Sequence, residues 1–226
     1  NILWNLQNLA SNNKIGKPDL EDKWIISKLN SLIKDYSEGL DKFELHNAMR
    51  KFSDFVMHDL SRGYVQMTRE KDNSAVIGLC LENLLKMLAP ISPFLAEKMW
   101  QNLKEKGIVK EESVHLCEWP KEDKKKIDEK LEEEFEKALK VIEAGMAARD
   151  SAKIGLRWPL AKATVEGYES KNSEIKEIIA RQLNVKKIEL KKGKELKVSL
   201  DLQVTPELEA EGFAREFARK VQEERK

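Results

Sequence analysis

Metal-ligand spacing is missing from this sequence. Its three histidines, His46, His58 and His115, form no pair at ligand spacing, and the HExxH pattern does not occur. Its two cysteines, Cys80 and Cys117, lie far apart with no CxxC pairing. These absences argue against a zinc site and a disulfide framework, and they fit a reducing cytosol. The ten glycines are dispersed singly, so there is no glycine-rich loop to cradle a phosphate. No apolar run approaches the length of a membrane span, and Asn1-Ile2-Leu3-Trp4 has no basic region before it. A cytoplasmic protein without membrane contact is expected. With no initiator Met, the chain reads as a piece of a longer one.

A strong charge of either sign is also lacking. The chain is rich in charge, at 36% of residues, yet its formal net charge is +1. Residues 1–120 hold 16 Lys and Arg against 17 Asp and Glu, and residues 121–226 hold 25 against 23. A nucleic-acid site must then be a local patch, because bulk attraction to phosphate is absent. Nothing pairs a nucleophile with a base, so no catalytic residue is nominated.

What the sequence has in quantity is helical periodicity. Leu20, Trp24, Ile25, Leu29, Leu32, Ile33 and Tyr36 recur at spacings of three and four, behind a capping Asp19. Leu45, Met49, Phe52, Val56 and Leu60 form a second stripe, and Leu81, Leu84, Leu85 and Leu88 a third. Pro90 breaks that helix, and Ser92-Pro93 starts the next, which Gly107 is placed to end. Four antiparallel helices predict a bundle over residues 1–120, with Trp24, Phe52, Phe55, Phe94 and Trp100 in its core. Val114-His115-Leu116 reads as a short extended connector.

Residues 121–226 predict a long charged helix followed by a small α+β unit. Ile127, Leu131, Phe135, Ala138, Ile142 and Met146 keep one face of that helix, so its charge run is a solvated surface. Strands are expected at Ala163 to Glu166, Lys186 to Lys191 and Glu195 to Gln203, the last two joined as a hairpin by Lys192-Gly193-Lys194. A helix carries Ile175, Ile178, Ile179 and Leu183 between them. Thr205-Pro206 opens a last helix through Phe213, Phe217 and Val221, which reads as continuing past Glu223-Glu224-Arg225-Lys226. The fold class is therefore mainly α: an antiparallel bundle, then an α+β unit of about three strands.

Two clusters suit RNA. Arg62, Tyr64, Gln66, Arg69 and Lys71 gather at one helix end, and Arg149, Lys153, Arg157 and Trp158 at another. Lys and Arg contact phosphates, while Tyr and Trp stack on unpaired bases. The competing structural reading puts Tyr64 in the core and uses Trp158 to anchor a helix-to-strand junction.

The same segments carry a resemblance. Asp22-Lys23-Trp24-Ile25-Ile26-Ser27-Lys28-Leu29-Asn30, Asp59-Leu60-Ser61-Arg62-Gly63-Tyr64-Val65, Leu88 to Glu97, and Ser113 to Pro120 are similar, in this order, to signatures of class I aminoacyl-tRNA synthetases. Gly155 to Leu160, Gln182 to Lys186, and Thr205 to Gly212 resemble the isoleucyl type, in its archaeal and eukaryotic-like branch. The resemblance implies an anticodon-binding bundle followed by a junction domain, with the anticodon stem-loop of tRNA(Ile) as partner. It implies no DNA partner, a monomer, and a parent ligase that uses ATP and Mg²⁺ in a catalytic domain bearing HIGH and KMSKS. Neither signature occurs here, so no cofactor is expected in this chain. Arg62, Arg69, Lys71, Arg149, Lys153 and Arg157 are then the phosphate contacts, with Tyr64 and Trp158 for stacking. The alternatives are a protein-interaction module, which predicts a contiguous exposed apolar patch, and a small metal- or cofactor-dependent enzyme.

Overall fold

The computed structural model describes residues 2–13, 15–193, 195–203 and 205–225. Two compact units divide the chain, Asn1–Glu132 and Glu133–Lys226. The first holds helices α1 (Ile2–Leu6), α2 (Leu20–Asp41), α3 (Leu45–Asp54), α4 (Ser74–Leu88) and α5 (Pro93–Glu105). Directly after α3, residues Phe55–Val65 continue as a π-helix.

Local chemistry sets these boundaries. Asp19 stands at the N-cap of α2, and its amide donates to the Asp22 carboxylate at 3.0 Å. Gly107, at φ 70°, closes α5: its amide reaches the Lys104 carbonyl, and the Ile108 amide reaches Leu103. That pairing satisfies carbonyls left without helical donors, and only glycine takes this backbone conformation without strain. Pro93 starts α5 as expected, although the Ser92 side chain makes no capping bond. Val114–Leu116 is a 3-10 turn, not the extended piece predicted.

The core of this unit gathers Trp24, Ile25, Tyr36, Leu60, Tyr64, Leu81, Leu84 and Trp100, all buried. Two expectations fail. Phe94 is 90% exposed, because Ala96, Met99, Trp100 and Leu103 occupy the inward stripe of α5 and Phe94 lies in its first turn outside that stripe. Leu45 is likewise exposed, and Ala48 takes its inward place on α3. Past Asp54 the wider π turn moves the buried set to Phe55, Val56, Leu60, Gly63 and Tyr64.

Residues beyond 120 still belong to this unit. The Asp123 amide donates to Asn30 Oδ1 at 2.7 Å and the Asp128 amide to Ser27 Oγ at 2.8 Å. Ser27 and Ser31 both donate to Glu132, near the start of α6 (Glu129–Ser151).

The second unit continues α6 and adds β1 (Leu160–Glu166), α7 (Ser173–Leu183), β2 (Val185–Lys191), β3 (Lys197–Leu200) and α8 (Pro206–Glu224). Here α6 turns Phe135, Ala138, Val141, Gly145 and Arg149 inward, while Ile142 and Met146 are half-buried. The strand order is β2-β1-β3. Strand β1 pairs parallel with β2, Ala163 opposite Ile188, and antiparallel with β3, Val165 opposite Val198. The expected β2–β3 hairpin is therefore corrected: both strands flank β1. Leu160, Ala163 and Val165 are buried, and an apolar β1 gains more by pairing on both sides than at an edge. Of the predicted turn, Lys194 lies outside the described residues, as does Lys226 of the carboxyl-terminal run.

Candidate nucleic-acid interface

The seven signature segments turn out to be joints. Tyr64 donates to Asp22 Oδ1 at 2.6 Å, and a Cβ on Gly63 would stand 2.9 Å from the Trp24 ring. The first two segments thus interlock through Asp22, Trp24, Gly63 and Tyr64. Glu97 accepts from Ser113 Oγ at 2.8 Å and from the Val114 amide at 3.1 Å, joining the third segment to the fourth. Desolvation raises the Glu97 carboxyl, but donors on Gln101, Ser113 and Val114 outweigh it and hold the group below its ordinary value. Trp119 donates to Ser37 Oγ at 2.8 Å and stacks on Tyr36, centroids 6.1 Å apart.

The three later segments converge in the same way. Asn184, in the left-handed conformation that ends α7, donates to the Leu156 carbonyl at 2.8 Å. Gly212 lies under Trp158, where a Cβ would meet the indole at 2.3 Å. Phe213 meets the same indole edge-on, centroids 5.2 Å apart.

Against this frame the predicted RNA contacts separate. Tyr64 is fully buried and cannot present a face to a base. Burial, then its bond to Asp22, push its hydroxyl far above the ordinary value. Substituting Tyr64→Phe is expected to cost about 1.5–3 kcal/mol, the range for a hydrogen bond to a charged acceptor. It should leave RNA affinity unchanged under native conditions, as chemical denaturation and RNA titration of one sample will check.

Arg149 is also interior, at 1% exposure. Its guanidinium donates to the carbonyls of Leu183 at 2.8 Å, Gly155 at 3.1 Å, Trp158 at 3.0 Å and Asn184 at 3.0 Å. Burial lowers its pKa, but an arginine stays charged, and four of its five N–H donors here serve the backbone. Lys71 is exposed but committed to Asp19 and Glu21, at 2.7 and 3.2 Å. These three are thereby accounted for by the fold.

The rest are on the surface. Arg62 and Arg69 are exposed and have no ion pair among the described residues. They lie along the π-helix and the turn after it, and the same continuous helix exposes Arg50 and His58, which sequence reasoning passed over. Their signal was the exposed side of the second stripe, which a search for packing ignores. In the second unit Lys153 is exposed at φ 56°, just past α6. Arg157 pairs with Glu216 of α8 at 3.4 Å, and Trp158 is half-buried. Alternating pairs run along α8, Lys186–Glu211, Arg215–Glu211 and Arg219–Glu216, so that face is not a purely basic patch.

Among the described residues no group of three His, Cys, Asp or Glu side chains is placed to hold a metal, and no helix is long and apolar enough to cross a membrane. The isoleucine–tRNA ligase of Pyrococcus abyssi is 37% identical over 221 residues, covering 84% of this chain and 20% of that protein. That of Thermococcus kodakarensis is 36% identical, with 83% and 20% covered. The Methanothrix thermoacetophila enzyme is 33% identical, with 90% and 22% covered. The chain spans about a fifth of the length of these curated relatives. Residues 22–165 match the model of a family described as the anticodon-binding domain of tRNA ligase, and with well over half its length matched the chain belongs to that family.

Proposed function

We propose that this chain is the part of an isoleucine–tRNA ligase that grips the anticodon stem and loop of tRNA(Ile). The observation that carries the reading is the pair Arg62 and Arg69, exposed and without an ion pair among the described residues, on the π-helix and the turn after it inside the family match. Exposed guanidinium groups hold phosphates and fix register, while unpaired bases supply the specificity. Lys153 and Arg157 add phosphate contacts in the second unit, beside Trp158 as a stacking face. The longer ligase is read as a cytoplasmic monomer. The use of ATP and Mg²⁺ is assigned to the catalytic part of that ligase.

The test titrates isoleucine and valine tRNA transcripts, each with its own and with the other's anticodon, at two salt concentrations. Affinity should follow the isoleucine anticodon and fall with salt. The double variant Arg62→Ala/Arg69→Ala should weaken binding about tenfold or more and lower the salt slope by about 1–2, since each phosphate contact contributes about 0.9. Binding that ignores the anticodon would overturn specific recognition, and an unchanged slope would remove these two residues from the interface.

One observation favours protein contact as a second reading. Phe94 is 90% exposed beside exposed Ile91 and Leu95, an apolar corner that suits the catalytic part of the same longer ligase. Under that reading Phe94→Ser lowers aminoacylation by the whole ligase without changing tRNA affinity.

A further inference from the structure

Helix α8 turns its charged side toward its own unit. Glu211 pairs with Lys186 of β2 at 2.6 Å and with Arg215 at 2.7 Å, and Glu216 pairs with Arg157 at 3.4 Å and with Arg219 at 2.6 Å. Only Leu208 and Gly212 are buried along this helix. At 3.6 residues per turn, the arc facing away from that buried pair carries Ala210, Phe213, Ala214, Phe217, Ala218 and Val221. Phe213 is 59% exposed and Phe217 70%, the three alanines are exposed, and Val221 is half-buried. A helix at a protein surface ordinarily turns its apolar stripe inward and its charges to water. The reversal here leaves most of an apolar face uncovered.

Three features decide what covers it. The first is relief. Phe213, Phe217 and Val221 follow one another at spacing four and form a raised row. Ala210, Ala214 and Ala218 follow at the same spacing and form a furrow beside it. A ridge next to a groove along such rows is the surface on which a second helix packs, its own ridge entering the furrow. A stacked base would use the rings but gain nothing from the alanines.

The second feature is charge. Between Ala210 and Val221 the arc holds no charged residue, and Lys220 stands only at its border. A face without cations suits a protein segment and not a phosphodiester backbone.

The third feature is size. A covered phenylalanine buries roughly 150–250 Å², so two part-exposed rings with their small neighbours offer on the order of 400 Å². A stand-alone protein interface takes about 800 Å² from each partner. A second copy of this chain would therefore find too little to hold. A helix tied into the same polypeptide needs less, because tethering gives it an effective concentration of about millimolar. The chain spans only about a fifth of the length of its relatives, which leaves ample polypeptide to supply one.

We propose that α8 receives an apolar helix from another part of the longer ligase, packed with its ridge in the furrow of Ala210, Ala214 and Ala218. This rests on reading the chain as part of that ligase, and it uses none of the residues assigned to RNA.

The experiment oxidises phenylalanine rings with hydroxyl radicals, in the 226-residue chain and in the whole ligase, without RNA. In the chain, Phe213 and Phe217 should react within a factor of about two of Phe43, which is 89% exposed. In the whole ligase both should react about tenfold more slowly. Ala214→Phe fills the furrow at an exposed position. It should leave the melting temperature of the 226-residue chain within about 2 °C of the parent, yet restore Phe217 oxidation in the whole ligase about fivefold. Equal oxidation of both rings in the two proteins would overturn the proposal. So would protection that grows with protein concentration, which means a second copy, and protection seen only on adding tRNA, which means a stacking surface. Failure here leaves anticodon binding untouched, because the comparison of chain and ligase contains no RNA.

Discussion

The variant Arg149→Met is expected to lose about 3–5 kcal/mol of stability in the second unit. Methionine keeps the length and apolar stem of the side chain but donates nothing. The carbonyls of Trp158 and Leu183 then lose this donor, while those of Gly155 and Asn184 lose one bond each and keep the amides of Trp158 and Leu160. Each unsatisfied group costs about 1–3 kcal/mol. Some of that is offset, because a buried charge without a carboxylate partner is no longer desolvated. The loss wins on number, four bonds against one charge. Arg149→Lys should recover less than half, since an ammonium has three donors and no planar fork to span carbonyls from a turn and a helix end. For a unit of this size the shift is on the order of 15 °C or more. Thermal unfolding followed by circular dichroism checks the size, and amide exchange at Val165 and Ile188 checks the place. A melting point within about 2 °C of the parent would mean that those carbonyls find other partners.

Gly167→Ala should cost about 2–5 kcal/mol in the same unit. The left-handed backbone at φ 74° charges any residue with a Cβ roughly 1–2 kcal/mol. The new methyl would also stand 2.3 Å from the Glu195 carbonyl oxygen and 2.6 Å from its carbon. That neighbour is backbone, so it cannot rotate away, and overpacking of this kind adds about 1–3 kcal/mol. The chain beyond β1 must shift away from Glu195, and pairing of β1 with β3 should loosen before pairing with β2. Gly16→Ala is the comparison, having nothing within 4 Å of the added carbon, and it should stay within about 0.5 kcal/mol of the parent. Urea denaturation of the two variants side by side measures both. Equal stability would show that the chain at Glu195 yields without cost.

Much of the helical half was legible because its information is local. Gly107 closes α5, Pro93 opens it, and the stripe from Trp24 to Tyr36 faces inward, each as the spacing predicts. Where periodicity misled, a specific event intervened. The π-helix from Phe55 advances the buried face by an extra fraction of a turn, which a 3.6-residue template cannot register. Phe94 sits in the first turn of its helix, where hydrophobicity alone does not say which side is inside. The strands were legible but their partners were not. Alternation marks a strand and a face, while the choice between a β2–β3 hairpin and two strands flanking β1 depends on which apolar strand is buried on both edges.

The candidate site divides in the same way. Sequence by itself determined the family segments, the helix ends and the presence of cations beside aromatics, because these depend on residue identity and on spacing within a few positions. Only the tertiary structure decided what each residue is for. Arg62 and Arg149 are the same residue type in comparable clusters, yet one is left exposed and the other is enclosed by carbonyls from a turn and from the end of α7, more than thirty positions away in the chain. Tyr64 and Trp158 differ likewise, one buried against Asp22 and the other half-open above Gly212. A side chain's chemistry is written in its identity, but its availability is set by neighbours that only folding brings together.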